Sequence, residues 1–352
     1  PEYSHNRELA STGSGVGAAQ AMLDAIAATD ATVLLNTRAT ELVTDESGKV
    51  VGVKAEGEDT DYTITAGAVL LATGGYGNNK ELLSEEMQSA LYYGPASCTG
   101  DGAIMAPADN VNAATRLMEY GKRYPNGIEV DEGIAKSTIS GNIVGWTMSA
   151  ILVNPEGERV VSETASNRTI LEAELQQTNQ MLYLLMDSET FDTWRTKLGG
   201  AGISEEDIDG YLEANGSTTP VFAHADTLEE LAGIVGMDPA TLTATVETYN
   251  SYVQAGEDAD FGRDPARMTM EIGEGPYYLV EQKPRFATTM GGLVVNTTLE
   301  VENTDGEVID GLYAAGEVVG GVMGDDSPSG ANNGWAVTSG KLAAENIAAA
   351  LQ

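Results

Sequence analysis

The run from Ala66 to Ala72 carries no polar residue and breaks at Thr73-Gly74-Gly75-Tyr76-Gly77. A strand without apolar–polar alternation is covered on both faces, which is the condition of a parallel strand in an α/β sheet. Glycines just past the carboxyl end of such a strand let a ligand or another backbone approach closely, and open α/β sheets bind their cofactors at that end. A plain strand-to-loop turn is the competing reading of these glycines alone. A second segment, Gly311-Leu312-Tyr313-Ala314-Ala315-Gly316-Glu317, repeats the pattern and sets an acid beside a glycine at the strand end. Such a glutamate can accept hydrogen bonds from ribityl or ribose hydroxyls; a solvated surface glutamate is the alternative.

Upstream, Asp45-Glu46-Ser47-Gly48 and Gly57-Glu58-Asp59 bracket the alternating Val51, Val53 and Ala55, which predicts a hairpin feeding the buried strand. Val33-Leu34-Leu35 reads as another short buried strand. The glycine loop Gly13 to Gly17 opens a helix, with Ala18, Ala19, Met22, Leu23, Ile26 and Ala27 at helical spacing. Gly13-x-Gly15-x-x-Ala18 matches a dinucleotide fingerprint in form, but residues 1–11 are not an apolar strand and no acid follows Leu35. A loop that caps a helix fits better, and its amino end can still attract polar oxygens.

Between about Glu119 and Phe286 the texture becomes that of an α+β domain. Thr227 to Glu230 reads as a capping box. Asp238-Pro239 opens a helix whose apolar stripe is Leu242, Val246, Tyr249 and Val253, and Gly256 ends it. The length, 352 residues, exceeds what one core usually supports, so two domains are expected.

Charge excludes several partners. Asp and Glu number 54 against 18 Lys and Arg, a formal charge of −36. A surface this acidic repels nucleic acid and anionic lipid. No run reaches the roughly 20 apolar residues of a membrane helix. One cysteine, Cys98, and two histidines, His5 and His224, are too few for a disulfide framework, an iron–sulfur cluster or a His–Cys metal site; no metal is expected.

The motifs, taken in order, are Gly13 to Ala18, Asn36-Thr37-Arg38, Val69 to Gly77, Thr99-Gly100-Asp101-Gly102-Ala103, Ala150 to Asn154, Thr289-Met290-Gly291-Gly292 and Gly311 to Val318. The set resembles the fumarate reductase / succinate dehydrogenase flavoprotein family, above all its soluble flavocytochrome c branch, over nearly the whole chain. The resemblance implies an α/β fold, a Rossmann-like FAD-binding domain interrupted by an α+β capping domain. It places flavin-domain segments at 1–118 and 287–352 and the cap at 119–286. It implies FAD held by Ala72, Thr73, Gly74, Gly75, Thr288, Met290, Glu317 and the helix start Ala331, Asn332 and Asn333, whose dipole would favour an anionic reduced flavin. The family's amino-terminal βαβ unit with its pyrophosphate glycines is not matched. That segment is expected to be cleaved, on another chain or missing, and is a candidate partner together with an electron-donor protein or domain.

The family's fumarate-handling residues are mostly replaced. Its proton-donor arginine has a counterpart in Arg168, one residue late. Its relay arginine falls on Trp146 and its second clamping arginine on Ser327. Its histidine pair falls on Ala287 and Thr288, and the histidine of its His-Pro segment on Tyr124. Serine cannot hold a carboxylate bidentately, so fumarate is not the expected substrate. Tyr124, Trp146 and Ser327 are the substrate-binding candidates, and Trp146 has an equal reading as a packed cap aromatic. Tyr124, Arg168 and Arg285 are the catalytic candidates. A tyrosine stays protonated at neutral pH and can act as an acid. Arg285 would polarise a substrate carbonyl, with a surface arginine as the commoner alternative. Arg159, Glu163 and Arg168 read either as cap-lining charges or as a structural ion-pair network.

The expectation is an FAD-dependent bacterial oxidoreductase that reduces the activated C=C bond of a small enoate or enone by hydride transfer from flavin N5. The alternatives are a dehydrogenase resembling 3-ketosteroid dehydrogenases, or a non-catalytic subunit needing a partner segment to bind FAD. The compartment stays open between the cytoplasm and export after amino-terminal processing.

Overall fold

The computed structural model describes residues 12–328 and 330–352, so His5 and the rest of residues 1–11 lie outside the described residues. Two compact units result. The first comprises the described residues up to Leu82, Ala96–Tyr120 and Thr289–Gln352; the second comprises Leu83–Pro95 and Gly121–Thr288. Residues 83–95 therefore go with the second unit, where the sequence reading had assigned them to the first flavin segment. Strand pairing explains this, because Leu91–Tyr92 pairs in parallel with Arg285 and Phe286.

In the first unit, Val50–Gly57 and Asp61–Thr65 form the expected hairpin, and Thr37–Thr44 extends it to a three-stranded antiparallel meander. Its first turn closes on the Asp45 side chain, which accepts from the Ser47 amide and hydroxyl. A second sheet sets Val308–Ala314 between Glu300–Glu302, antiparallel, and Val69–Leu71, parallel, in the register Leu312–Val69 and Ala314–Leu71. The two glycine-ended strands read from the sequence are thus neighbours, ending on the same side. Gly311 must be glycine: its φ is +78°, and a Cβ would stand 2.3 Å from the Val50 carbonyl oxygen. Leu42, Val50, Leu71, Met105, Leu293, Val301 and Leu312 form the core.

The Gly13 loop does open a helix, Ser14–Ala27. The buried strand expected at Val33-Leu34-Leu35 does not form. These residues are irregular and 60, 42 and 80% exposed, because no strand among the described residues pairs with them.

The second unit is built on a seven-stranded sheet in the order Leu91–Tyr92, Ile134–Ser137, Gly121–Asp131, Tyr277–Thr289, Leu182–Asp187, Ile151–Val153, with Phe222–Ala225 also pairing with Tyr277–Thr289. Alternation along the central strand sorts two cores. Leu182, Leu184 and Met186 face Ile170, Phe191, Trp194 and Ile208 on one side. Tyr183 and Leu185 face Leu228, Leu231, Leu242, Val246 and Tyr249 on the other. The stripe read on the helix Pro239–Ala255 is the face it buries, and Asp238 caps it through the Thr241 amide. Thr227 caps its helix through Glu230 N alone. The reciprocal capping box forms instead at Ser204 and Asp207.

Candidate functional site

At the strand ends of the first unit, Glu317 ties two loops together. Its Oε1 accepts from the Thr289 amide (2.9 Å) and hydroxyl (3.1 Å), and the Thr289 hydroxyl accepts from the Tyr76 amide at 3.3 Å. A Cβ on Gly75 would lie 2.1 Å from Glu317 Oε1 and 2.3 Å from Thr289 Oγ1, so only glycine fits there. Burial raises the Glu317 carboxyl pKa, against the lowering effect of the Thr289 bonds. Beside it, Thr73 Oγ1 is buried with no hydrogen-bond partner, a condition native interiors seldom leave unresolved. Ala72 is exposed, Gly74 is left-handed with φ +73°, and Met290 is buried at 5% exposure.

The helix Ala331–Ala350 starts at Gly330 with no side-chain cap and no acid in its first turn. Trp335 Nε1 donates to the Gly316 carbonyl (3.0 Å) and the Gly316 amide to Ser339 Oγ (2.9 Å), which fixes the helix against the segment leading to Glu317. Asn332 donates to the hydroxyl of buried Ser327 at 3.0 Å, and Asn333 is exposed. Uncapped amides at a helix start favour negative charge. An unpartnered hydroxyl, a buried acceptor at a glycine gap and this helix end are the features a flavin would use. Thr288, half-buried, ends the second unit rather than entering this group.

Within the second unit, Arg285 is 3% exposed and not a surface arginine. Its Nε donates to Asn126 Oδ1 (2.9 Å) and to the Asn126 carbonyl (3.2 Å). The guanidinium lies 4.1 Å from the Tyr93 ring centroid and 4.8 Å from that of Tyr124. Gly127 leaves the space: a Cβ there would meet Arg285 Cβ at 3.0 Å. Burial lowers the Arg285 pKa, and no carboxylate pairs with it among the described residues.

Arg159 and Glu163 belong to a buried ion-pair network. Arg159 Nη2 bonds Glu163 (2.8 Å) and Asp258 (2.8 Å), and Arg263 Nη1 bonds Glu163 at 3.1 Å and the Ala150 carbonyl at 2.9 Å. Arg168 stands apart from it. On the helix Asn167–Glu174 it pairs with Glu172 at 3.2 Å, and its side chain is 63% exposed. Trp146 packs against the core that holds Trp194, its carbonyl accepts from Arg263 (2.7 Å), and its indole N–H is buried without a partner. Asn126, Tyr93, Asp258, Arg263 and Thr289 had no role in the sequence reading. Only Thr289 stood inside a quoted motif.

A family model described as "FAD binding domain" matches residues 2–333. The chain belongs to the FAD binding domain family. Its relatives include a probable fumarate reductase Ifc3 of Shewanella frigidimarina, 33% identical over 89% of this chain and 50% of that protein. A urocanate reductase of Eggerthella lenta is 34% identical over 90% of this chain and 50% of that protein. The open conformation of a flavocytochrome c3 fumarate reductase matches with a TM-score of 0.73 and 31% identity, covering 96% of this chain and 56% of that one. The chain spans about half the length of the curated relatives it matches. These findings bear out the resemblance to fumarate reductase flavoproteins, the α/β fold and FAD as the cofactor. Among the described residues no helix is long and apolar enough to cross a membrane, and the relatives named are bacterial.

Proposed function

We propose that this FAD-binding chain serves an oxidoreductase that reduces the activated C=C bond of a small enoate or enone. The observation that supports it most is the placement of Tyr124 beside the buried guanidinium of Arg285, a proton donor next to an oxygen-holding cation. Thr73, Gly75, Met290, Glu317 and the start of Ala331–Ala350 would hold the FAD, with Ala72, Gly74 and Thr288 at its margins. Held there and reduced, FAD would supply the hydride that the β-carbon receives. Arg285 would hold the carbonyl oxygen and stabilise the charge that develops on it. The Tyr124 hydroxyl would give its proton to the α-carbon. Trp146 would contribute apolar wall, and Arg168, exposed and paired with Glu172, is the second candidate for the acid. Ser327 cannot clamp a second carboxylate as an arginine would, so fumarate would be a poor substrate. An electron-donor protein or domain would reduce the flavin, and a segment outside this chain would complete the pyrophosphate site.

The test is anaerobic reoxidation of the dithionite-reduced, FAD-loaded protein by enones, enoates and fumarate. Reoxidation by enones or enoates, with fumarate slower, is expected. Tyr124→Phe should slow it about 10²–10⁴-fold while flavin reduction stays intact. No reoxidation by any unsaturated compound overturns the reading. An unchanged rate in Tyr124→Phe moves the acid role to Arg168.

A further inference from the structure

We propose that the second unit carries a binding site for a small organic ammonium ion that also bears a neutral oxygen, such as an amino sugar, in the groove where the helix Pro239–Ala255 meets Glu158 and Arg159. The site does not depend on the reductase reading. Arg159 bridges to Val153 on the edge strand Ile151–Val153, and two strands of the sheet separate that edge from Gly121–Asp131, which carries Tyr124.

The cavity holds about 570 Å³, within the roughly 300–1,000 Å³ of small-molecule sites. Its lining divides by charge. Glu158, Asp238 and Asp260 stand exposed on it, and the donors bonded to them are neutral. The Asn154 amide donates to Glu158 at 3.4 Å, the Thr241 amide and hydroxyl to Asp238 at 3.1 and 2.6 Å, and the Tyr252 hydroxyl to Asp260. Three carboxylates on one concave surface focus negative potential into it, and a cation is what they draw. At the buried floor the demand reverses. Arg159 lines the same cavity with its side chain 6% exposed, and Glu163 and Asp258 already answer its charge through Nε and Nη2. Its Nη1 is buried with no hydrogen-bond partner. That donor lacks an acceptor and not a counter-charge, so a hydroxyl, ether or carbonyl oxygen suits it, whereas a third carboxylate would crowd the two already there. Tyr249, 1% exposed, also lines the cavity, and its hydroxyl is buried without a partner. Burial pushes its pKa up to about 12, so it keeps its proton at neutral pH and can donate. Unmet donors recur at Arg263 and Arg285 and carry nothing alone. Here two of them line one cavity whose rim is acidic. An anion would be repelled at that rim, and a hydrocarbon would leave both donors unmet.

Ligand-observed NMR titration of the full chain with glucosamine, glucose and cyclohexylamine tests this. Glucose has the oxygens without the charge, and cyclohexylamine has the charge without the oxygens. Glucosamine should bind at least about 5-fold tighter than either, the scale of one or two partly screened ionic contacts. Its advantage over glucose should shrink in about 1 M salt, where the Debye length falls to about 3 Å. Asp260→Asn combined with Glu158→Gln should bring glucosamine and glucose to within about 2-fold of each other. Tyr249→Phe should weaken both sugars several-fold and leave cyclohexylamine nearly unchanged. Ala244→Trp, at an exposed position of the lining, should block all three. Diffuse attraction of a cation to a chain of net charge −36 would survive Ala244→Trp and would not need the oxygens. If Tyr249→Phe does not fold, Ala244→Trp and the carboxylate pair decide. No binding of glucosamine, equal binding of glucosamine and glucose, glucosamine binding untouched by Tyr249→Phe, or binding that survives Ala244→Trp overturns the site.

Discussion

Two groups of buried arginines in the second unit solve the same physical problem in opposite ways. Arg159 and Arg263 share Glu163, and Arg159 also pairs with Asp258, so each guanidinium meets a carboxylate at 2.8 to 3.1 Å. Burial alone would lower the Arg159 pKa, but the two carboxylates more than offset it and the net shift is upward. Arg285 is as deeply buried, its shift is downward, and no acid corrects it. The first group neutralises its cations with carboxylates, although Arg159 Nη1 and Arg263 Nε, like Arg285 Nη1, are buried without a hydrogen-bond partner. Arg285, bonded to Asn126 beside the rings of Tyr93 and Tyr124 and with no carboxylate partner among the described residues, keeps part of its solvation cost open. Sequence inspection alone does not separate the two, since all three are arginines with aromatic or acidic residues nearby in the chain.

The sharpest way to break this contrast is to unpair the buried network. Glu163→Gln leaves Arg263 and Arg159 short of their shared carboxylate and should cost about 3–5 kcal/mol of stability, read as a lower urea midpoint. A midpoint close to that of the unaltered protein would mean the network is as open as the Arg285 site.

Glu174 gives the mirror case, a fully buried acid with both oxygens unpartnered. Burial raises its carboxyl pKa well above the usual value. The unfolded chain ionises this group near the ordinary carboxylate range, whereas the folded chain keeps the proton. Stability is therefore full at low pH and is lost as pH rises from that range toward the folded pKa. Glu174→Gln should remove this slope, with a melting temperature above that of the unaltered protein at pH 8 and the gap closing by pH 4. Parallel pH profiles would show that Glu174 has a partner.

In the first unit, Glu317→Ala removes a buried acceptor and should weaken FAD retention by about 1–3 kcal/mol, measured by flavin absorbance after dialysis. Thr289→Val separates loop anchoring from flavin contact: it breaks the Thr289 hydroxyl bond to Glu317 and leaves the carboxylate in place. An equal loss in both variants would make Glu317 an anchor of the loop and nothing more.

The smallest effect expected belongs to Arg285. Arg285→Met removes an uncompensated buried charge together with one bonded neighbour, and the two terms oppose each other. The urea midpoint should move by no more than about 1 kcal/mol equivalent, in contrast to Glu163→Gln. A loss of several kcal/mol would place Arg285 with the paired network and erase the comparison.

The parts legible from sequence were those decided by neighbours in the chain. The hairpin Val50–Thr65, the glycine-ended strands at Val69–Leu71 and Val308–Ala314, and the capped helix Pro239–Ala255 follow from alternation, an unbroken apolar run, turn residues and caps, all local physics. The Thr73-Gly74-Gly75 and Gly316-Glu317 motifs showed where a cofactor end would be. That they are adjacent strand ends, joined through Thr289, needed the parallel register. Val33-Leu34-Leu35 had the composition of a strand but found none to pair with, and pairing is a property of two segments. The arginines with and without a carboxylate were decided still further from the chain: Arg263 meets Glu163 across 100 residues and Arg285 meets Asn126 across 159. Sequence set the charges. Only the folded chain, by choosing which carboxylates come within hydrogen-bonding reach in a medium that hydrates poorly, decided which of those charges was left unanswered.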